Sequence, residues 1–149
     1  MATDYTYSAV NNPVVAWMRE RIRGLVEAQL APGRSILEIN AGSGVDATYF
    51  AERGYYVRAT DIAPGMLAAI AGKAQSASVG GRLTWASLAF DDLSQLGCGP
   101  YDVVFSNLGG LNCTGDLEAV TRGLPSVLKP GGAEYTRLAS YDIAGEPAS

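Results

Sequence analysis

The chain has 149 residues, of which 48% are hydrophobic and 17% are charged, so it contains enough apolar material for the core of one globular domain. A net charge of −4 argues against a surface that binds nucleic acid, and two cysteines without any histidine form neither a zinc site nor a disulfide framework. No apolar run approaches the ~20 residues of a membrane span, and the amino terminus lacks the layout of a signal peptide. We therefore expect a cytoplasmic protein with no membrane or nucleic-acid partner, and a small-molecule or peptide substrate.

Helices and strands alternate along the chain. Pro13 follows Asn12 as a helix start, apolar residues then recur at helical spacing, and Pro32-Gly33 ends this first helix. Its apolar stripe, which includes Trp17, is expected to lie in the core. The predicted helices are 13–30, 45–53, 64–75 and 116–128. The predicted strands are 35–40, 55–60, 82–88, 101–107 and 133–139, and the last has the mixed polarity of an edge strand.

This alternation predicts parallel strands that are joined by right-handed crossovers. The fold class is α/β, with a doubly wound, mostly parallel sheet of about five strands and helices on both faces. We expect one domain over residues 1–149. It consists of a helical segment at 1–34, a core at 35–132, and a short edge strand with a tail at 133–149.

A glycine-rich turn follows the first strand, within the sequence SILEINAGSGVDATYF. Ligands of doubly wound sheets bind beyond the carboxyl ends of the strands, and Gly42 and Gly44 allow the backbone to come close to one. Asn40 tolerates left-handed dihedral angles better than most residues. Asp61 ends the second strand beside this turn, where its carboxylate can accept hydrogen bonds from both hydroxyls of a ribose. Together these residues predict an adenosine site.

Two kinds of adenosine cofactor fit the glycines. The sequence from Gly42 to Ala47 satisfies a loose dinucleotide fingerprint, so a nicotinamide-dependent oxidoreductase is one alternative. However, Glu38 within the first strand, then TDIAPGML, YDVVFSNLGGLN and LKPGG in that order, resemble the class I S-adenosylmethionine-dependent methyltransferases. The resemblance covers residues 36–132. A carboxylate near the strand end also suits a cationic sulfonium cofactor better than an anionic pyrophosphate.

The resemblance implies S-adenosyl-L-methionine as the cofactor and assigns a role to each matching residue. The turn around the methionine part would be lined by Glu38, Asn40, Ala41, Gly42 and Gly44, with Glu38 mainly ordering the turn. Asp61 would bind the ribose hydroxyls and Ile62 would pack against the adenine. Ala89-Phe90 aligns with a pair that usually begins with an acid, so either Asp91 replaces that acid or Phe90 and the backbone hold the adenine. Asn107 would face the methionine end and the acceptor.

The function implied by the resemblance is in-line methyl transfer to a small-molecule acceptor. Asn107 is not followed by the Pro-Pro-aromatic set of nucleobase amino methyltransferases, and no residue is nominated as a general base. Members of the family usually continue past LKPGG with a fifth strand, a helix and an antiparallel hairpin. We expect this chain to lack that hairpin, which would leave a sheet edge open to self-association. A non-catalytic cofactor-binding or interaction module with the same fold is therefore a second alternative.

Overall fold

The computed structural model describes residues 13–89, 92–97, 99–106 and 117–136. The helices are α1 (Pro13–Gln29), α2 (Val45–Glu52), α3 (Pro64–Ala74) and α4 (Leu117–Val127), with a 3-10 turn at Leu93–Gln95. The strands are β1 (Ser35–Glu38), β2 (Tyr56–Asp61), β3 (Leu83–Ser87), β4 (Tyr101–Ser106) and β5 (Leu128–Thr136). The alternation of helices and strands predicted from the sequence is confirmed.

The five strands form one sheet in the order β3-β2-β1-β4-β5. Every strand pair within the described residues is parallel. The chain moves outward from β1 to β3 and then returns to the other side of β1 with β4. The direction of winding thus reverses between β1 and β4, and this switch point is where ligands of such sheets bind.

Apolar residues cover both faces of the sheet. On one face, α1, α2 and α3 pack against β1, β2 and β4 around a core that includes Ile22, Phe50, Ile70 and Phe105. The rings of Phe50 and Phe105 meet edge to face with their centroids 5.6 Å apart. On the other face, the 3-10 turn and α4 pack on Leu37, Ile39 and Val104. Helical segments on both faces confirm the predicted doubly wound α/β fold.

Two strand boundaries differ from the sequence prediction by two residues or more, whereas both ends of β2 and β3 differ by one residue. β1 ends at Glu38 rather than Asn40, because Asn40 has a φ of +54° and has already left the extended conformation. β5 begins at Leu128 rather than Ala133, since Leu128 pairs with Tyr101 and Ala133 pairs with Val103 across an irregular register. The segment between these pairs is therefore a bulge in an edge strand. Its predicted end at residues 137–139 lies outside the described residues.

The prediction that Trp17 lies in the core is wrong. Trp17 is 52% exposed, and the Arg21 guanidinium lies 5.6 Å from its ring centroid. Ile22 and Val26 of the same stripe are buried as predicted, and α1 also buries Arg19. A long arginine stem can occupy a buried helical position when its guanidinium is paired, and that is the case here.

No helix in the described part of the chain is both long enough and apolar enough to cross a membrane.

Candidate functional site

The glycine turn, residues 39–44, connects β1 to α2 at the switch point of the sheet. Its backbone is held against both neighbouring strands, because the Ile39 amide donates to the Phe105 carbonyl at 3.0 Å and the Ala41 amide donates to the Thr60 carbonyl at 2.8 Å. Asn40, Gly42 and Gly44 all have positive φ values, of +54°, +62° and +82°. The left-handed conformation predicted to be tolerated at Asn40 is therefore present.

The two glycines of the turn serve different purposes. A Cβ atom added at Gly42 would meet no described atom within 4 Å, so this part of the backbone is open to a ligand. A Cβ atom at Gly44 would lie 2.8 Å from Cγ1 of Ile70, so Gly44 permits close packing of the turn against α3. Gly42 is thus a candidate ligand contact, and Gly44 is required for packing, while its predicted contact with a cofactor stays a prediction.

Asp61 is buried and links three parts of the site. Its Oδ2 accepts a hydrogen bond from the Gly42 amide at 2.9 Å, and its Oδ1 accepts one from the Ala63 amide at 2.9 Å. The second bond shapes the entry to α3 without capping it, because Ala63 is the N-cap residue and no side chain makes a cap hydrogen bond to this helix. Each carboxylate oxygen retains capacity to accept another hydrogen bond, so these contacts are compatible with binding a hydroxyl pair.

Residues next to Asp61 form the remaining part of the candidate site that the structure describes. Ile62 is 61% exposed, so its apolar side chain is available to a flat ligand surface. The Leu88 amide donates to the Asp61 carbonyl at 3.2 Å, which brings the end of β3 and the half-buried Ala89 next to Asp61. Phe90, Asp91 and Asn107 lie outside the described residues, so their predicted roles stay predictions.

Glu38 is the buried acid of the site. It is only 3% exposed, so its carboxyl group lies inside the protein rather than at a solvated strand end. The Ala47 amide in the first turn of α2 donates a hydrogen bond to its carboxylate, whereas Oε1 has no partner among the described residues. Burial, followed by the negative charge of Asp46, raises the pKa of Glu38 well above 4.5, and the nearby Arg19 and Arg23 partly oppose this shift.

Asp46 and two arginines complete a buried charge cluster that consists of Arg19, Arg23, Glu38 and Asp46. Oδ2 of Asp46 accepts from Nη1 of Arg19 at 2.9 Å, and Oδ1 accepts from Nε of Arg23 at 3.0 Å. Nε of Arg19 is buried and has no partner within the described part of the chain. The cluster therefore contains one unpartnered acceptor, on Glu38, and one unpartnered donor, on Arg19.

The sequence prediction missed these arginines. One signal for them exists, because Arg19 and Arg23 are four residues apart on a helix and flank the buried Ile22. Asp46 also stands in the first turn of the helix that follows Gly44. The sequence does not show that α1 lies across this helix, so the pairing could not be assigned from it.

Lys73 on α3 also reaches the glycine turn. Its Nζ donates a hydrogen bond to the Ser43 carbonyl at 2.6 Å. Partial burial, and then the positive charge of Arg19, lower the pKa of Lys73. This contact too was not predicted from the sequence, in which Ser43 and Lys73 are 30 residues apart.

The raised pKa of Glu38 predicts a pH dependence of stability. Because the folded protein holds the Glu38 proton more tightly than the unfolded chain, this residue's contribution to stability is fully present below about pH 4.5 and is lost as the pH rises through the raised pKa. Glu38→Gln cannot ionise, so its free energy of unfolding should exceed that of the wild type increasingly as the pH rises through this window. Urea unfolding of both proteins across a pH series measures the difference. A difference that does not change with pH would contradict a buried, proton-holding Glu38.

We compared the sequence and the fold of this chain with those of known proteins. The fold and the turn define a Rossmann-like α/β domain with a nucleotide-type site at the switch point. Residues 36–132 match the family model described as "Methyltransferase domain". The chain belongs to this methyltransferase domain family, which confirms the resemblance found in the sequence. A search of curated proteins gives no match.

Solved structures agree with this assignment. The CcbJ methyltransferase from Streptomyces caelestis shares 28% identity and superposes with a TM-score of 0.68 over 78% of this chain and 47% of its own. The glycopeptide N-methyltransferase MtfA, solved with S-adenosyl-L-methionine, shares 21% identity with a TM-score of 0.66 over 78% of this chain and 52% of its own. A TehB-like methyltransferase from Corynebacterium glutamicum shares 20% identity with a TM-score of 0.68 over 89% of this chain and 70% of its own. The chain thus spans about half the length of CcbJ and MtfA.

Proposed function

We propose that this chain binds S-adenosyl-L-methionine at the glycine turn and transfers its methyl group to a small-molecule acceptor. The observation that carries the proposal is the buried Glu38 carboxylate with its unpartnered Oε1 at the end of β1. A cationic donor favours the ionised form of this buried carboxyl group, whereas an anionic ligand opposes it. Glu38 therefore favours a cofactor with an ammonium and a sulfonium group over a dinucleotide, whose pyrophosphate is negative.

The residues of the site divide between the parts of the cofactor. Glu38 would accept a hydrogen bond from the ammonium group of the methionine part of the cofactor. The unpartnered Nε of Arg19 would donate one to the carboxylate of the same methionine part. Asp61 would bind the ribose hydroxyls, and the exposed Ile62 would pack on the adenine. The open backbone at Gly42 provides room for the cofactor to lie against the turn.

In methyl transfer, the main task of the protein is to position the cofactor relative to the acceptor atom. When bound, the cofactor supplies a sulfonium methyl group that is already an activated electrophile. Asp61 and Glu38 would fix the two ends of the cofactor, so that this methyl group points to one place where an acceptor atom can approach in line. The apolar surface of Ile62 would help to exclude water from the site.

The acceptor class is proposed from the charge of the chain and from its solved relatives. A net charge of −4 disfavours polyanionic acceptors, and the solved relatives include a glycopeptide N-methyltransferase. We therefore place the acceptor among small molecules. We also propose, from the composition alone, that the protein acts in the cytoplasm.

Isothermal titration calorimetry with S-adenosylhomocysteine tests the cofactor assignment directly. We expect one site per chain, and no heat of binding with reduced nicotinamide dinucleotide under the same conditions. Binding of the nicotinamide cofactor alone would contradict the proposal and favour an oxidoreductase. A methyl-transfer assay against a mixed panel of amine, hydroxyl and carboxyl acceptors then tests the activity.

Asp61→Ala is expected to weaken S-adenosylhomocysteine binding by about 1–3 kcal/mol, or about 5- to 150-fold, because charge-assisted hydrogen bonds to the ribose are lost. Asp92→Ala is a matched control, because Asp92 is an exposed acid whose side chain does not cap the 3-10 turn that follows it. Calorimetry on both variants measures the change. An Asp61→Ala affinity equal to that of the control would refute the ribose assignment.

A further inference from the structure

The Ser43–Gly44 peptide unit follows the part of the glycine turn that is hydrogen-bonded to β2. Ser43 lies between two residues with left-handed backbones, Gly42 and Gly44, and glycine restricts the backbone less than any other residue. The carbonyl of Ser43 and the amide of Gly44 belong to one planar unit, so fixing either group fixes both. The groups that hold the Ser43 carbonyl and the Gly44 amide therefore together set the direction of the backbone as it enters α2.

Besides the bond from the Ile39 amide to β4, three hydrogen bonds hold the turn through its amides. The Ala41 and Gly42 amides donate to Thr60 and Asp61 on β2, and the Gly44 amide donates to the Ala41 carbonyl at 3.2 Å. The two contacts with β2 thus precede Ser43. At Ser43 itself the contact comes from α3, through Nζ of Lys73 at 2.6 Å.

Ser43 is only 9% exposed, so water has little access to replace a lost partner there. A nearly buried carbonyl that loses its donor carries the full desolvation penalty, and the turn can relieve that penalty by rotating the peptide unit. Such a rotation would move the Gly44 amide and the adjoining open backbone of Gly42. Removal of Lys73 should therefore disturb the surface that faces the ligand, although Lys73 has no role in contacting the ligand.

We propose that Lys73 is a positioning residue of the cofactor site, which holds the Ser43–Gly44 peptide unit in the orientation that binds S-adenosylmethionine. This inference rests on the proposed function. The charged group that faces Lys73 from α1 is Arg19, and Arg19 is in turn paired with Asp46 on α2. The positive charge of Arg19 favours the neutral amine of Lys73, which is a weaker donor to a carbonyl than the ammonium form.

Lys73→Met tests the inference, with Lys129→Met as the matched control. Lys129 also contacts oxygen atoms, those of Asp102 at 3.2 Å, but it does so at the start of β5 and far from the turn. We expect Lys73→Met to lose about tenfold in affinity for S-adenosylhomocysteine, as for one charge-assisted hydrogen bond, and Lys129→Met to bind like the wild type. Lys73→Arg should recover most of the affinity, because it keeps a cationic donor.

The pH profile separates positioning from general stability. The affinity of the wild type should fall more steeply than that of Lys73→Arg in the alkaline range, because lysine loses its proton there and arginine does not. The ligand's own titration is common to both proteins and cancels in the comparison. Wild-type affinity in Lys73→Met, or identical pH profiles for the wild type and Lys73→Arg, would overturn this inference alone. Absence of binding by the wild type would overturn it together with the proposed function.

Discussion

Gly42→Val is expected to abolish S-adenosylhomocysteine binding while the domain remains folded. The φ of +62° at Gly42 costs an L-residue roughly 1–2 kcal/mol and a β-branched residue more, which a domain of ordinary stability tolerates. No described atom lies within 4 Å of the added Cβ, so the protein itself has room for it. The ligand does not, because it has to approach this backbone. Calorimetry and circular-dichroism melting measure the two effects separately.

Gly44→Val provides the contrast to this variant. Its Cβ would lie 2.8 Å from Cγ1 of Ile70, which is fully buried in the core, so we expect a loss of folding together with any loss of binding. If Gly42→Val melted as early as Gly44→Val, Gly42 would be a structural glycine. If Gly42→Val bound the ligand as well as the wild type, the ligand would lie elsewhere.

Asp46→Ala should destabilise the domain by about 3–5 kcal/mol, because it leaves the guanidinium groups of Arg19 and Arg23 without their buried counter-charge. The side chain of Asp46 is 3% exposed, so water cannot replace it. Urea unfolding monitored by circular dichroism gives the free energy of unfolding directly.

Glu52→Ala on the same helix is the control for Asp46→Ala. Glu52 is exposed and accepts one hydrogen bond, from Oγ of Ser78 at 2.8 Å, so its removal should cost less than about 1 kcal/mol. Equal losses in the two variants would show that the buried charge cluster does not stabilise the attachment of α1. A double substitution of Arg19 and Asp46 to alanine, less destabilised than the sum of the single variants, would support the pairing.

The glycine turn and the position of Asp61 were predictable from the sequence, because both depend on residues that are close together along the chain. The glycine turn and Asp61 were found because a strand, a turn and a helix follow one another within a short stretch, and the end of the next strand lies beside the turn in every parallel pair. The structure confirms the left-handed Asn40 and places Asp61 against the Gly42 amide. These contacts join neighbouring elements, so the order of elements along the chain is enough to predict them.

The contacts that depend on helix orientation could not be predicted in this way. Arg19 and Asp46 are 27 residues apart, and their pairing requires knowledge of how α1 lies across α2. Hydrophobic periodicity placed Trp17 in the core, because it cannot show which of two adjacent helix faces is covered. The early start of β5 was missed since its Lys129-Pro130-Gly131 sequence is typical of a turn, whereas here it forms the bulge of an edge strand.

The two hydrogen bonds of Asp61 have a consequence for the speed and energetics of ligand capture. Both are made to the chain's own backbone, so the carboxylate has its working orientation before any ligand arrives. Under the proposed function, an incoming nucleoside would meet a preorganised acceptor and would not have to immobilise a freely rotating side chain, which would otherwise oppose association by about 0.5–1.5 kcal/mol. The conformational entropy of that side chain is lost during folding, so the encounter of a ribose with this edge of the sheet would proceed as rigid docking.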